Sequence, residues 1–255
     1  VGLALSGGIA RGPAHLGVIA VLEREGIPID VVAGVSAGSL AGALYCAGLR
    51  LERLQAYLTD VTWPLLARPV WPRYGFVTFD PLEAWIRRLI GNVTFADLER
   101  PLAVGVTDLE TGEAVTLCEG DVARAVHASC AVPGFVAPVE INGRWYGDGG
   151  AANNLPAMTA RQLGADYVIG VDLFLSPLRA QRNPLGAALW AVENFVRRSG
   201  GGLQGADCLI APVMPGRSYF SFSDRAKRMT LTLGMRAAAA KIPEIRAALC
   251  APEAA

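Results

Sequence analysis

Short runs of consecutive apolar residues alternate along the chain with segments whose apolar positions recur every three to four residues. Leu3 to Ser6, Asp30 to Gly34, Leu102 to Val106, Ala114 to Leu117, Tyr167 to Asp172 and Cys208 to Pro212 read as strands. Between them, Pro13 to Glu25, Ser39 to Ala47, Leu82 to Leu89, Val122 to Ser129, Leu185 to Arg198 and Arg225 to Ala240 read as helices. In the first helix Leu16, Ile19 and Leu22 share a face, Pro13 suits the opening turn, Gly26 stops the helix, and Glu23, Arg24 and Glu25 form a solvated end. Asn142-Gly143 between Val139-Glu140-Ile141 and Arg144-Trp145-Tyr146 predicts a hairpin, because this dipeptide accepts the positive φ angles of a tight turn. The expected architecture is α/β, a three-layer α/β/α fold with a mostly parallel central sheet, with all 255 residues in one domain.

The first strand, helix and second strand form a crossover unit, so both strands point the same way and their carboxyl ends share one sheet edge. That edge carries the glycine loop Gly7-Gly8-Ile9-Ala10-Arg11-Gly12 and Ser36. If the two strands are immediate neighbours, their axes lie about 4.8 Å apart. Loop amides can then face a serine hydroxyl across a bound ester.

Lys plus Arg and Asp plus Glu number 23 each, so bulk charge supplies no argument for a nucleic-acid partner. Five cysteines, with no CxxC pair, point to reduced and mostly buried thiols rather than a disulfide frame or a metal site. The longest apolar stretches, such as Leu40 to Leu49, are too short to span a bilayer. A cytoplasmic protein, peripheral at a membrane, is the expectation. Because the chain opens on Val1 inside a predicted strand and without an initiator Met, an upstream signal or domain, and with it secretion, stays open.

Gly34-Val35-Ser36-Ala37-Gly38 is a GxSxG motif between a strand and an alanine-leucine helix, the setting of a nucleophile elbow. A serine hydroxyl needs a base within hydrogen-bond reach. The chain has only His15 and His127, and no histidine follows Asp148, so the chain order Ser, acid, His is available only through His127 with Asp108 or Asp121 as its acid. Both histidines also read as packing residues among small apolar neighbours, and Asp148 as a turn aspartate near Asn153-Asn154. The glycine loop is not a phosphate loop, since Pro13-Ala14 stands where Lys and Ser or Thr are needed.

Ser6 to Gly12, Gly34 to Gly38 and Asp148-Gly149-Gly150, taken in that order, resemble the three successive signatures of patatin-like phospholipases. Ala128 to Gly134 and Gly150 to Pro156 are similar to that family's flanking segments, and the resemblance covers about Val1 to Leu173. It implies a Ser-Asp dyad, with Ser36 as nucleophile and Asp148 as base. It further implies an oxyanion hole from Gly7, Gly8, Ile9, Ala10, Arg11 and Gly12, an acyl-serine intermediate, and neither cofactor nor metal. Arg11 would steady the loop or attract an anionic headgroup. Ile9 departs from the family's usual small residue, and a β-branched side chain tolerates positive φ poorly. The runners-up are a Ser-His-acid esterase using His127 and a non-catalytic lipid-binding or regulatory protein on the same scaffold.

Val61 to Pro81 gathers Trp63, Trp71, Tyr74, Phe76 and Phe79 with four prolines and two arginines, which argues against regular structure and suits a lipid-water interface through Trp63, Trp71, Tyr74 and Phe76. The bland alternative is a loop closing over the core. Tyr219 to Phe222 is a second such segment.

Overall fold

The computed structural model describes residues 1–50, 53–54, 57, 60–174, 184–201, 204–214 and 221–250. Its strands are β1 (Gly2–Leu5), β2 (Val31–Val35), the short pair β3 (Arg68–Pro69) and β4 (Val77–Thr78), β5 (Leu102–Asp108), β6 (Ala114–Leu117), β7 (Val139–Ile141), β8 (Arg144–Asp148), β9 (Val168–Val171) and β10 (Cys208–Ile210). Its helices are α1 (Pro13–Arg24), α2 (Ala37–Cys46), α3 (Trp63–Leu66), α4 (Asp80–Ile90), α5 (Val122–Cys130), α6 (Ala157–Gln162), α7 (Pro184–Arg198) and α8 (Asp224–Cys250).

The main sheet runs β10-β9-β1-β2-β5-β8-β7, with β6 on β5. The pairs from β10 to β5 are parallel, and β6, β8 and β7 join antiparallel. Helices flank the sheet, as the sequence led us to expect. Side chains alternate across it. Leu3, Leu5, Val32, Val104, Val106 and Ile169 enter the large core shared with α1, α2, α4 and α5. Ala4, Val31, Ala33 and Ala103 face a thin alanine-rich layer under α6. Packing there is so close that a Cβ on Gly2 would lie 2.5 Å from that of Ala165.

α1 is buried well beyond the Leu16, Ile19 and Leu22 face, because α8 crosses it at Gly17 and Gly234. A Cβ on Gly234 would sit 2.1 Å from the Ala14 carbonyl oxygen, so only glycine permits this approach. α8 itself runs past the predicted end at Ala240, through Pro243 to Cys250. Burial of Ile242 and Ile245 there offsets the one backbone hydrogen bond that a proline forfeits. The Val61 to Pro81 segment is also more regular than expected: it holds α3, β3 and β4, its prolines falling where no amide is needed, as with Pro64 in the first turn of α3. α6 was missed because six residues are too few to show a period.

Two registers position the site. β1 pairs with β2 from Gly2↔Val31 to Leu5↔Gly34, so the two strands are immediate neighbours and the glycine loop leaves one as Ser36 leaves the other. β5 pairs with β2 up to Val35↔Gly105 and with β8 from Val106↔Asp148, while β6 occupies the opposite side of Gly105 and Val106. Thus β2 and β8 lie end to end along one flank of β5, and Ser36 and Asp148 meet at their junction.

Candidate active site

Ser36 turns the chain from β2 into α2 with φ 52° and ψ −121°, a conformation costly for any residue with a side chain. The glycines around it make the turn possible. A Cβ on Gly34 would lie 2.6 Å from Gly38 O, and one on Gly38 would lie 2.3 Å from Leu5 O. The Ser36 carbonyl accepts from Leu40 N at 3.1 Å and from Ser39 Oγ at 2.7 Å, while its amide donates to Ser129 Oγ at 2.8 Å.

Asp148 ends β8 with only 8% of its surface exposed. Its amide donates to Ala131 O at 2.8 Å and its carbonyl accepts from Thr107 Oγ1 at 2.8 Å, which fixes the backbone on both sides. Burial pushes the carboxyl up to about 6, against the stabilising donation of the Ser36 hydroxyl and the Gly150 amide, the latter at 2.8 Å. A carboxylate of that basicity beside a serine hydroxyl can accept its proton at neutral pH. Gly149 is needed next to it, since a Cβ there would sit 2.3 Å from Gly105 O.

The glycine loop folds back over this pair, and a Cβ on Gly7 would lie 3.5 Å from that of Ser36. Its six amides are not equivalent. Gly7 N donates to Asn154 Oδ1 at 3.2 Å, Arg11 N to Gly8 O at 3.0 Å, and Gly12 N to Ile9 O at 3.4 Å. Of the six, the amides of Gly8, Ile9 and Ala10 donate to no acceptor among the described residues, which leaves these three open to an anionic oxygen. Ile9 does take the positive φ that its side chain disfavours, 51°.

The loop is braced from beneath. Arg11 is fully buried and its guanidinium donates to Leu173 O at 2.8 Å, which makes it a brace for the loop rather than a headgroup ligand. Ser6 Oγ accepts from Leu173 N at 3.0 Å. His15 Nε2 lies 2.8 Å from Ser6 O, and burial lowers its pKa to about 4, so His15 is a neutral packing residue.

His127 is paired with neither candidate acid. Asp108 caps the turn at Glu110 and Thr111 and pairs with Arg144, and Asp121 caps α5 and pairs with Arg87. The partner of His127 is Glu83, on α4, a residue for which no sequence spacing gave a signal. Sequence reasoning also gave no role to Ser129, Cys130 or Asn154, although all three lie in segments it singled out. The Cys130 thiol, pushed up chiefly by burial and then by the Asp148 charge, lies against the Ser36 and Ser39 hydroxyls.

Trp63 leaves the predicted aromatic set: it is half-buried and meets Phe222 edge-on, with ring centroids 5.0 Å apart. Trp71, Tyr74 and Phe76 are exposed, Trp71 at 88%. Two residues distant in sequence join them, Phe135, whose carbonyl accepts from Phe76 N at 2.9 Å, and Trp145, whose ring lies 5.8 Å from that of Tyr74. Tyr219 and Phe220 lie outside the described residues. No helix among the described residues is long and apolar enough to cross a membrane.

The fold resembles that of VipD from Legionella pneumophila, with a TM-score of 0.59 at 15% identity over 95% of this chain and 66% of that one. In sequence, an uncharacterised NTE-family protein of Mycobacterium tuberculosis is 35% identical over 176 residues, 68% of this chain and 49% of its own length. Lysophospholipase NTE1 of Saccharomyces cerevisiae is 31% identical over 196 residues, again 68% of this chain but 11% of its own. The chain therefore spans about half the length of the mycobacterial relative and a small part of the yeast one. The model of the family described as patatin-like phospholipase matches residues 3–161, the stretch that holds the glycine loop, the Ser36 elbow and Asp148. The chain belongs to the patatin-like phospholipase family.

Proposed function

We propose that the protein hydrolyses lipid acyl esters through a Ser36-Asp148 dyad, the whole chain acting as one hydrolase domain. The observation that carries this reading is the apposition of a buried carboxyl, raised to about 6, with the hydroxyl of a strained elbow serine. Ser36 Oγ attacks the ester carbonyl carbon as its proton passes to Asp148. The tetrahedral oxyanion is met by the amides of Gly8, Ile9 and Ala10, donors of a kind worth on the order of 10²- to 10³-fold in rate each. Protonated Asp148 returns the proton to the departing alkoxide, leaving acyl-Ser36. Water then attacks the acyl carbon, its proton going to Asp148 and from there to Ser36 Oγ as the fatty acid leaves.

On this reading the exposed Trp71, Tyr74 and Phe76 engage the lipid surface from which the ester is taken. Five free cysteines fit a reducing compartment and a cytoplasmic, membrane-peripheral enzyme. The lysophospholipase activity named for the yeast relative makes lysophospholipid the first substrate to try. Intact-mass analysis after fluorophosphonate treatment tests the reading: one adduct, mapped to Ser36, is expected. Folded protein that takes no adduct would instead be a lipid-binding module.

A further inference from the structure

Ser129 has no part in the proton transfers above, yet it is bonded to the nucleophile. It is fully buried near the carboxyl end of α5, and its single hydroxyl serves two partners, accepting from Ser36 N at 2.8 Å and donating to Gly105 O at 2.6 Å. Both partners need it. Ser36 N precedes the first turn of α2 and has no intrahelical acceptor, and Ser129 Oγ is its acceptor among the described residues. Gly105 pairs with Val35, the last residue of β2, at the junction of β2 and β8, next to the Val106↔Asp148 pair. The two following residues touch the same site: the Cys130 thiol lies against Ser36 and Ser39, and the Ala131 carbonyl accepts from Asp148 N at 2.8 Å. Three consecutive residues thus hold the nucleophile backbone, the nucleophile side chain and the base backbone in turn.

We infer that Ser129 is a positioning residue for the acyl transfer: its hydroxyl pins the strained Ser36 backbone to β5, and the Ser129-Cys130-Ala131 segment sets the spacing of Ser36 from Asp148. The inference rests on Ser36 being the nucleophile. Its physical reason is the positive φ of Ser36, which persists only while the surroundings over-determine it. Without the Ser129 hydroxyl, Ser36 N and Gly105 O lose a shared partner in a buried setting, and the elbow relaxes toward ordinary backbone angles. A displacement of about 1 Å of the attacking oxygen costs on the order of 10²-fold in rate without touching substrate affinity.

The test compares wild type with Ser129→Ala, Ser129→Cys and, as a control distant from the site, Thr94→Ala, which breaks the capping box at Phe95–Asp97. Thermal midpoints establish folding. A short soluble ester gives kcat and KM, and the rate of fluorophosphonate labelling at Ser36 reports the nucleophile directly. Ser129→Ala is expected to lower kcat and the labelling rate by about 10- to 100-fold with KM within about twofold. Ser129→Cys fills the volume but offers only a weakly hydrogen-bonding thiol, so it gives the same split and serves as the test if the alanine variant does not fold. Thr94→Ala should lose thermal stability and keep its kcat. Wild-type kcat in either folded Ser129 variant, or a loss carried by KM alone, overturns the positioning role and leaves the hydrolase reading standing. Wild type that takes no label at Ser36 overturns both.

Discussion

His127 Nδ1 lies 2.9 Å from Glu83 Oε2, and that bond is the largest cause of the lowering of the Glu83 carboxyl to about 2. Glu83 is held further by Arg87 at 2.8 Å and Arg124 at 3.5 Å. The histidine is therefore tied into a charge network between α4 and α5, and its Nε2 is buried with no partner among the described residues. Under the dyad, Asp148→Asn should slow acylation by about 10²- to 10⁴-fold, whereas His127→Gln leaves turnover of a soluble ester largely intact. A dead His127→Gln beside an active Asp148→Asn, both folded, would overturn the dyad in favour of a histidine base.

The raised carboxyl of Asp148 predicts the acid limb of activity. Only the carboxylate can take the Ser36 proton, so kcat/KM should rise with pH through about 6 and level off above it. A limb near pH 4, where ordinary carboxyls titrate, would show that Asp148 is not the group being read.

The same shift makes Asp148 a stability cost. Its pKa is higher folded, about 6, than its ordinary 3.8, so between those values the folded state binds more protons and stability falls as pH rises. Above pH 6 the penalty is on the order of 3 kcal/mol, and below 3.8 it is absent. Asp148→Asn should raise the thermal midpoint at pH 7.5 and lose most of that gain near pH 4. An equal gain at both values would trace the effect to something other than the buried charge.

At Ile9 the positive φ reverses the usual order of small residues. Glycine should be more stable than alanine there by about 1 kcal/mol, because the Cβ itself is what the left-handed region penalises. Urea denaturation of Ile9→Gly and Ile9→Ala decides it; alanine the more stable of the two would mean that the loop relaxes out of positive φ.

For the exposed aromatics, a combined change of Trp71, Tyr74 and Phe76 to serine should depress activity on vesicles far more than on a short soluble ester. Trp63→Ala, by contrast, removes the edge contact with Phe222 and should lower thermal stability. Equal losses on both substrates for the triple variant would leave the aromatic face without an interfacial role.

Patterns that reside in neighbouring residues were legible without coordinates. The Asn142-Gly143 turn is one, with φ of 51° and 78°; so are the apolar strands, and the small residues around Ser36. Turn chemistry and strand burial are local, and the sequence of β1, α1 and β2 allows only a parallel pair with its loops on one edge. Ser36 could be named on those grounds, together with a glycine loop on the same sheet edge, whereas Asp148 was named through the resemblance to patatin-like phospholipases.

What no local pattern carries is the company each residue keeps. β2 and β8 lie 109 to 117 residues apart at their ends nearest in sequence and farthest, by the numbers of Val35, Arg144, Val31 and Asp148, and only the ladder along β5 brings Ser36 and Asp148 to one junction. The same long-range closure gives Gly7 N to Asn154, Arg11 to Leu173, His127 to Glu83 and Ser129 to Ser36. It also decides which loop amides remain available and raises the Asp148 carboxyl by burial. The chain by itself determined its longer elements, the parallel direction of β1 and β2 and the small residues around the Ser36 turn, because those follow from steric limits within a few residues. Hydrogen-bond partners, burial and basicity belong to the tertiary structure alone, since each is a property of the space between segments.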